Sequence, residues 1–102
     1  MSTQTSQPKT FDVTLTLQAP IQQLNAQDHI KRKTILIFSD PSNTATVYKG
    51  SSKDVLTFPI AVGAALVVEY QALADIWVTS KMSGANQTLH IDAGGQVDTE
   101  TG

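Results

Sequence analysis

The sequence contains no cysteine. That absence excludes a disulfide framework, a thiolate metal site and a cysteine nucleophile. Histidine is scarce too. His29 and His90 are the only two, too few for a histidine-rich metal cage or a full catalytic set. Charged residues make up 16%, against roughly 25% in an average soluble domain. Seven Lys and Arg against nine Asp and Glu leave a net charge of −2, so no basic field invites nucleic acid. Long apolar runs are also missing. The longest, Phe58–Val68, is interrupted by Gly63 and falls far short of the roughly 20 residues of a membrane-spanning helix. Met1–Thr10 has no apolar segment of the signal-peptide kind, so the expectation is a soluble protein made in the cytoplasm, without membrane contact. No Gly-x-Ser-x-Gly elbow and no glycine-rich phosphate loop appears, and Gly94-Gly95 lies in a polar tail. The expectation is therefore a non-enzyme with no catalytic residue, no cofactor and no metal.

Uncharged polar residues fill the space: 33 of the 102 residues are Thr, Ser, Gln or Asn. Forty per cent hydrophobic residues suffice for the one modest core of a single small domain. Both ends lack a core pattern. Residues 1–10 read as an N-terminal arm and residues 93–102 as a C-terminal tail, each too polar to offset the entropy of ordering on its own. The foldable domain spans residues 11–92.

Within it the hydrophobic period is two. Phe11, Val13, Leu15 and Leu17 alternate with Asp12, Thr14 and Thr16, which predicts a half-buried strand ended by Ala19-Pro20. Ile30–Phe38 is a second strand, and its unbroken run from Ile35 to Phe38 predicts cover on both faces. Ser39–Thr44 is dense in turn formers, with Pro41 and Asn43 inside it. Ala45–Lys49 is a short strand, followed by a turn at Gly50–Ser52, where Gly50 would supply a positive φ. Pro59 makes Val55–Ile60 an edge strand or an irregular crossing. Ala64–Tyr70 reads as a buried strand, Asp75–Ser80 as another, Lys81–Asn86 as a loop and Gln87–Asp92 as the closing strand. Ile21–Gln27 fits a helical turn, a loop or a further strand equally well. Short strands at this spacing predict an all-β domain, a small antiparallel sandwich or barrel.

Few residues carry candidate chemistry. His90 and Asp92 share a strand face, but no third ligand accompanies them, and plain surface alternation explains both. Asn86-Gln-Thr88 matches a glycosylation acceptor and reads as a turn. In the basic run, Lys31 and Lys33 fall on one face and Arg32 on the other. A rim contact suits them better than a nucleic-acid surface, which needs a larger basic patch with stacking aromatics. Tyr48, Tyr70, Trp77, Phe11, Phe38 and Phe58 belong to the core or to a subunit interface rather than to a ligand platform.

The segment Arg32–Asp92 resembles small virion proteins of tailed bacteriophages, of the capsid decoration (cement) and head-fibre type. The match lies in Arg32-x-x-Ile35-Leu-Ile-Phe38, the turn Asp40-Pro-Ser-Asn43, then Thr46-Val-Tyr48-x-Gly50 and Phe58-Pro-Ile60-x-x-Gly63. Ala64–Glu69, Leu73-Ala-Asp-Ile-Trp-Val78 and Gln87–Asp92 complete it, with Thr57 standing where Gly usually precedes the Phe-Pro. The resemblance implies a compact β-sandwich or barrel that forms a homotrimer on a viral capsid. The partner it implies is the major capsid protein. Residues 1–10, Lys31, Arg32, Lys33, Tyr48, Tyr70 and Trp77 would then be sources of contact. Two further roles suit the same composition: a tail, fibre-base or receptor-binding component, and a sugar-binding module using exposed Trp77 and Tyr48 or Tyr70.

Overall fold

A computed structural model describes residues 8–80 and 85–95 of the chain. Eight strands form two four-stranded antiparallel sheets. They are β1 (Lys9–Leu15), β2 (Ile21–Gln23), β3 (Arg32–Ser39), β4 (Val47–Ser52), β5 (Val55–Ile60), β6 (Ala65–Gln71), β7 (Trp77–Ser80) and β8 (Gln87–Ala93). One sheet has the order β1-β8-β3-β6 and the other β2-β7-β4-β5. Two interleaved sheets of these orders make an eight-stranded jelly roll. The expected all-β sandwich is the observed fold.

The core between the sheets is aliphatic throughout. Val13, Leu15, Ile35, Ile37, Leu89 and Ile91 from the first sheet meet Val47, Ile60 and Val78 from the second and Ile76 just before β7. Val13 and Leu15 reach it because β1 alternates, and their partners in register, Leu89 and Gln87, are buried too. Leu17 does not follow them. The backbones of Thr16 and Ala19 bond reciprocally, the strand stops at Leu15, and Leu17 is left 58% exposed. The β1–β8 ladder also runs past the expected domain bounds. Lys9 and Thr10 pair with Ala93 and Asp92, and Gly94 and Gly95 bond to Thr34 and Lys33. The remaining arm and tail residues, 1–7 and 96–102, lie outside the described residues.

Four further expectations need correction. Gly50–Ser52 is not a turn: β4 continues to Ser52 and the reversal falls at Lys53-Asp54. Gly50 is required for close approach rather than for a positive φ, since a Cβ there would sit 1.4 Å from the Val55 carbonyl oxygen. That proximity accompanies the register shifts of the β4–β5 pair on either side of Gly50. The positive φ belongs to Gly63 (77°), where the chain leaves β5 and crosses into the other sheet. β6 is an edge strand, mostly exposed, because among the described residues no strand pairs with it beyond β3. β3 is central in its sheet, yet only Ile35 and Ile37 enter the core, while Leu36 and Phe38 lie half-buried on the outer face.

Pro59 correctly marks an edge strand, β5. Ile21–Gln27 resolves into β2 and a loop, with a single 3-10 turn later at Leu73–Asp75. Residues 81–84 of the expected Lys81–Asn86 loop lie outside the described residues.

Two buried amides fasten the β3–β4 connection to β8. The Asn43 side chain donates to the Thr88 carbonyl at 2.8 Å and accepts from the Thr88 N–H at 2.8 Å, so it substitutes for a strand residue. Gln87 accepts from the N–H groups of Thr44 and Ala45 and donates to the Thr44 hydroxyl.

Candidate partner interface

Alternation in the first sheet leaves one residue of every pair facing outward. The outer surface therefore carries Thr10, Asp12 and Thr14 on β1, Thr88, His90 and Asp92 on β8, Leu36 and Phe38 on β3, and Ala65, Val67 and Glu69 on β6. Its β1–β8 half is polar, and its β3–β6 half is apolar apart from the Thr34–Glu69 pair.

His90 sits on the boundary. Its Nδ1 lies 2.8 Å from Asp12 Oδ1 and its Nε2 2.6 Å from Asp40 Oδ2, so the protonated ring donates to a carboxylate on each side. The bonds to Asp12 and then Asp40 raise the His90 pKa above its ordinary value. Asp40 is held at about 2, first by the Ser42 hydroxyl and N–H and then by His90. Phe38 stacks on the imidazole with centroids 5.9 Å apart. Pairing His90 with Asp92 is therefore corrected. The i, i+2 spacing brings both onto one face, but the antiparallel register puts Asp12 directly opposite His90. The cue in the sequence was Asp12 on the polar face of the first strand. Among the described residues no group of three or more His, Asp or Glu could hold a metal ion.

The basic run splits in function. Lys31 and Lys33 are exposed. Arg32 is 1% exposed, and its guanidinium bonds to Asp28 Oδ2 and to the Gly94 carbonyl, both at 2.7 Å. Asp28 also meets Lys9 at 2.9 Å. Burial pushes the Asp28 carboxyl pKa up, but the bonds from Lys9, Arg32 and the Ile30 N–H outweigh it and hold the pKa low. Arg32 is consequently a structural tie between the 25–28 loop, β3 and the end of β8, and is withdrawn as a contact residue.

No aromatic side chain lies in the buried core. Tyr48 and Trp77 are half-buried on the outer face of the second sheet. They are diagonal neighbours, because Trp77 stands opposite Gly50 and Thr79 opposite Tyr48. A shallow hollow of about 390 Å³ is lined by Tyr48, Leu56, Thr57 and Thr79, without Trp77. Phe58 is exposed on β5, with the Lys49 ammonium 6.0 Å from its ring centre. Tyr70 is 59% exposed at the end of β6, at φ 58°. The structure thus brings Tyr48 and Trp77 together on one sheet. Lys33 and Tyr70 lie at the same end of the β3–β6 pair of the other, and no single patch unites all the expected contact residues.

No family model and no curated protein matches the sequence. Among solved structures the chain is similar to the NLP core of Drosophila, whose study concerns pentamer formation and histone binding. Identity is 18% over 92% of this chain and 100% of that one, with a TM-score of 0.43. Likeness at that level transfers nothing about function.

Proposed function

We propose that the protein is a structural virion component, a capsid decoration subunit that stabilises a phage head by bridging copies of the major capsid protein. One observation carries the reading. None of the six aromatic side chains is fully buried: Phe11 packs against the core, while Phe38, Tyr48, Phe58, Tyr70 and Trp77 reach the surface, where Leu36 and Val67 add to the apolar area. Aromatics held at the surface of a rigid sandwich supply contact area to partners at little cost in conformational entropy. The low charge of the chain lets such faces be covered without stranding unpaired ions. Jelly rolls serve in viral shells among other settings, which agrees with the reading by analogy only. A subunit that binds only the assembled lattice adds its binding free energy to the stability of the shell. The homotrimer and the virion-surface location belong to this proposal.

The test is addition of purified protein to emptied capsids. Saturable binding that follows capsid symmetry and a raised capsid melting temperature are expected. No binding at micromolar protein overturns the proposal, and density confined to the tail axis would favour a tail or fibre-base role. The Tyr48–Trp77 surface and its hollow favour one further reading, a sugar-binding module. Titration with monosaccharides while following Trp77 fluorescence tests it, and an unchanged signal at millimolar sugar excludes it.

A further inference from the structure

Two open sheets have four edges, and three of them are blunted. β2 is three residues long. β5 carries Pro59 and the irregular pairing around Gly50. β1 carries Lys9 and Asp12, and the Gln22 amide caps its outward Thr14 carbonyl at 2.7 Å. Short strands, proline, bulges, charges and covering groups are the devices that stop sheet edges from pairing with other chains. β6 has few of them: Ala65–Glu69 runs extended with no proline and Glu69 as the single charge of the strand, and the edge is broken only beyond it, at Tyr70 with φ 58°.

The backbone polarity of this edge follows from the register. The Ser39 N–H donates to the Ala64 carbonyl, so Ile37–Leu66 and Ile35–Val68 are the next hydrogen-bonded pairs of the β3–β6 ladder. Ala65, Val67 and Glu69 therefore turn their N–H and C=O groups outward. No loop or side chain among the described residues bonds to them. Val67 is 56% exposed.

We infer that β6 pairs with β6 of a second copy of this chain, antiparallel about a two-fold axis at Val67. With one charge in seven residues the strand is close to self-complementary, which suits a second copy, and that charge fixes the register. An axis at Glu69 would set two carboxylates face to face, which disfavours that pairing. An axis at Ala65 would run the partner into Gly63, whose positive φ breaks the extended chain. An axis at Val67 places Glu69 opposite Ala65, Leu66 opposite Val68 and Val67 opposite itself. It supplies about six backbone hydrogen bonds. It also joins the Leu36, Phe38 and Val67 patches of both copies into one band. The seam does not rest on the capsid reading. A two-fold seam and a homotrimer coexist in a closed assembly only when it holds at least about six chains.

Sedimentation velocity and native mass spectrometry on the full chain test this, from low to high micromolar concentration. A dimer or an even-numbered assembly is expected. Val67→Pro removes only an outward N–H, and a monomeric or trimeric product is expected from it. Ala65→Glu places a second carboxylate opposite Glu69 twice per dimer and should weaken the dimer about fivefold to tenfold, while Ala65→Lys should tighten it similarly. These two surface changes leave the β3–β6 ladder intact, which thermal melts of the same samples verify. A monomer at every concentration overturns the inference. So does an assembly, odd or even, whose dissociation responds to none of the three variants.

Discussion

Arg32 stands between two solvated lysines, yet its surroundings are those of a core residue. Deleting one member of a buried ion pair costs about 3–5 kcal/mol when the other is stranded, and here Lys9 and the Ile30 N–H still hold Asp28, so the cost falls toward about 3 kcal/mol. Arg32→Ala should therefore lower the unfolding free energy by that order. Lys33→Ala, one residue along and exposed, should stay within about 0.5 kcal/mol. Chemical denaturation of the two variants checks the contrast. Arg32→Lys should not rescue, because a point charge cannot hold Asp28 and the Gly94 carbonyl at once.

His90 gives the pH dependence at the same scale. Its pKa is raised in the folded state, so its contribution is complete below the ordinary histidine value and fades as pH climbs through the raised one. Asp40 is depressed to about 2, so its contribution is complete above the ordinary carboxylate value and fades as pH falls toward 2. The Asp12–His90–Asp40 chain is therefore strongest between about pH 4 and 6.5. The stability gap between the native sequence and His90→Gln should be larger at pH 5.5 than at pH 8.5. Thermal melts at the two pH values measure it, and an equal gap would show that the carboxylates do not sense the ring's charge.

Among the elements, legibility followed hydrophobic period. β1, β3 and β8 declared themselves by alternation or by β-branched runs, and Pro59 placed β5 at an edge. What stayed hidden depended on pairing across the chain. Nothing local to Ala64–Tyr70 distinguishes a buried strand from an edge, because the difference is the absence of a neighbour beyond β3. Gly50 was read for φ when its role is contact with Val55, a residue in the next strand. Arg32 looked like its flanking lysines because Asp28 and Gly94 reach it only after folding. Gly50→Ala accordingly puts a methyl group into the Val55 carbonyl and should cost about 1–3 kcal/mol or more. Urea unfolding is the measurement. The Asn43 bridge belongs to this scale as well. Asn43→Ala leaves the Thr88 N–H without its partner and the Thr88 C=O with the Asp40 N–H alone, for about 1–3 kcal/mol on the same assay.

For the molecule as a whole, the division of labour between aliphatic and aromatic residues has an optical consequence. The core of Val, Leu, Ile and Ala absorbs nothing in the near ultraviolet, while the single tryptophan stands half-exposed on the second sheet. Trp77 emission in the free protein should therefore already be red-shifted, quenchable by acrylamide, and only modestly changed by unfolding. Covering that sheet removes water from the indole and should shift emission to the blue. Addition of emptied capsids should then produce a blue shift that saturates with bound protein and reduce acrylamide quenching in step. Binding without any change in Trp77 emission would assign the capsid contact to the opposite sheet, where Leu36, Phe38 and Val67 lie. There, Val67→Lys should weaken capsid binding while leaving the Trp77 spectrum unaltered. A loss of binding on Trp77→Ala but not on Val67→Lys assigns the contact to the second sheet. The reverse result assigns it to the first, so the two substitutions together determine which face meets the shell.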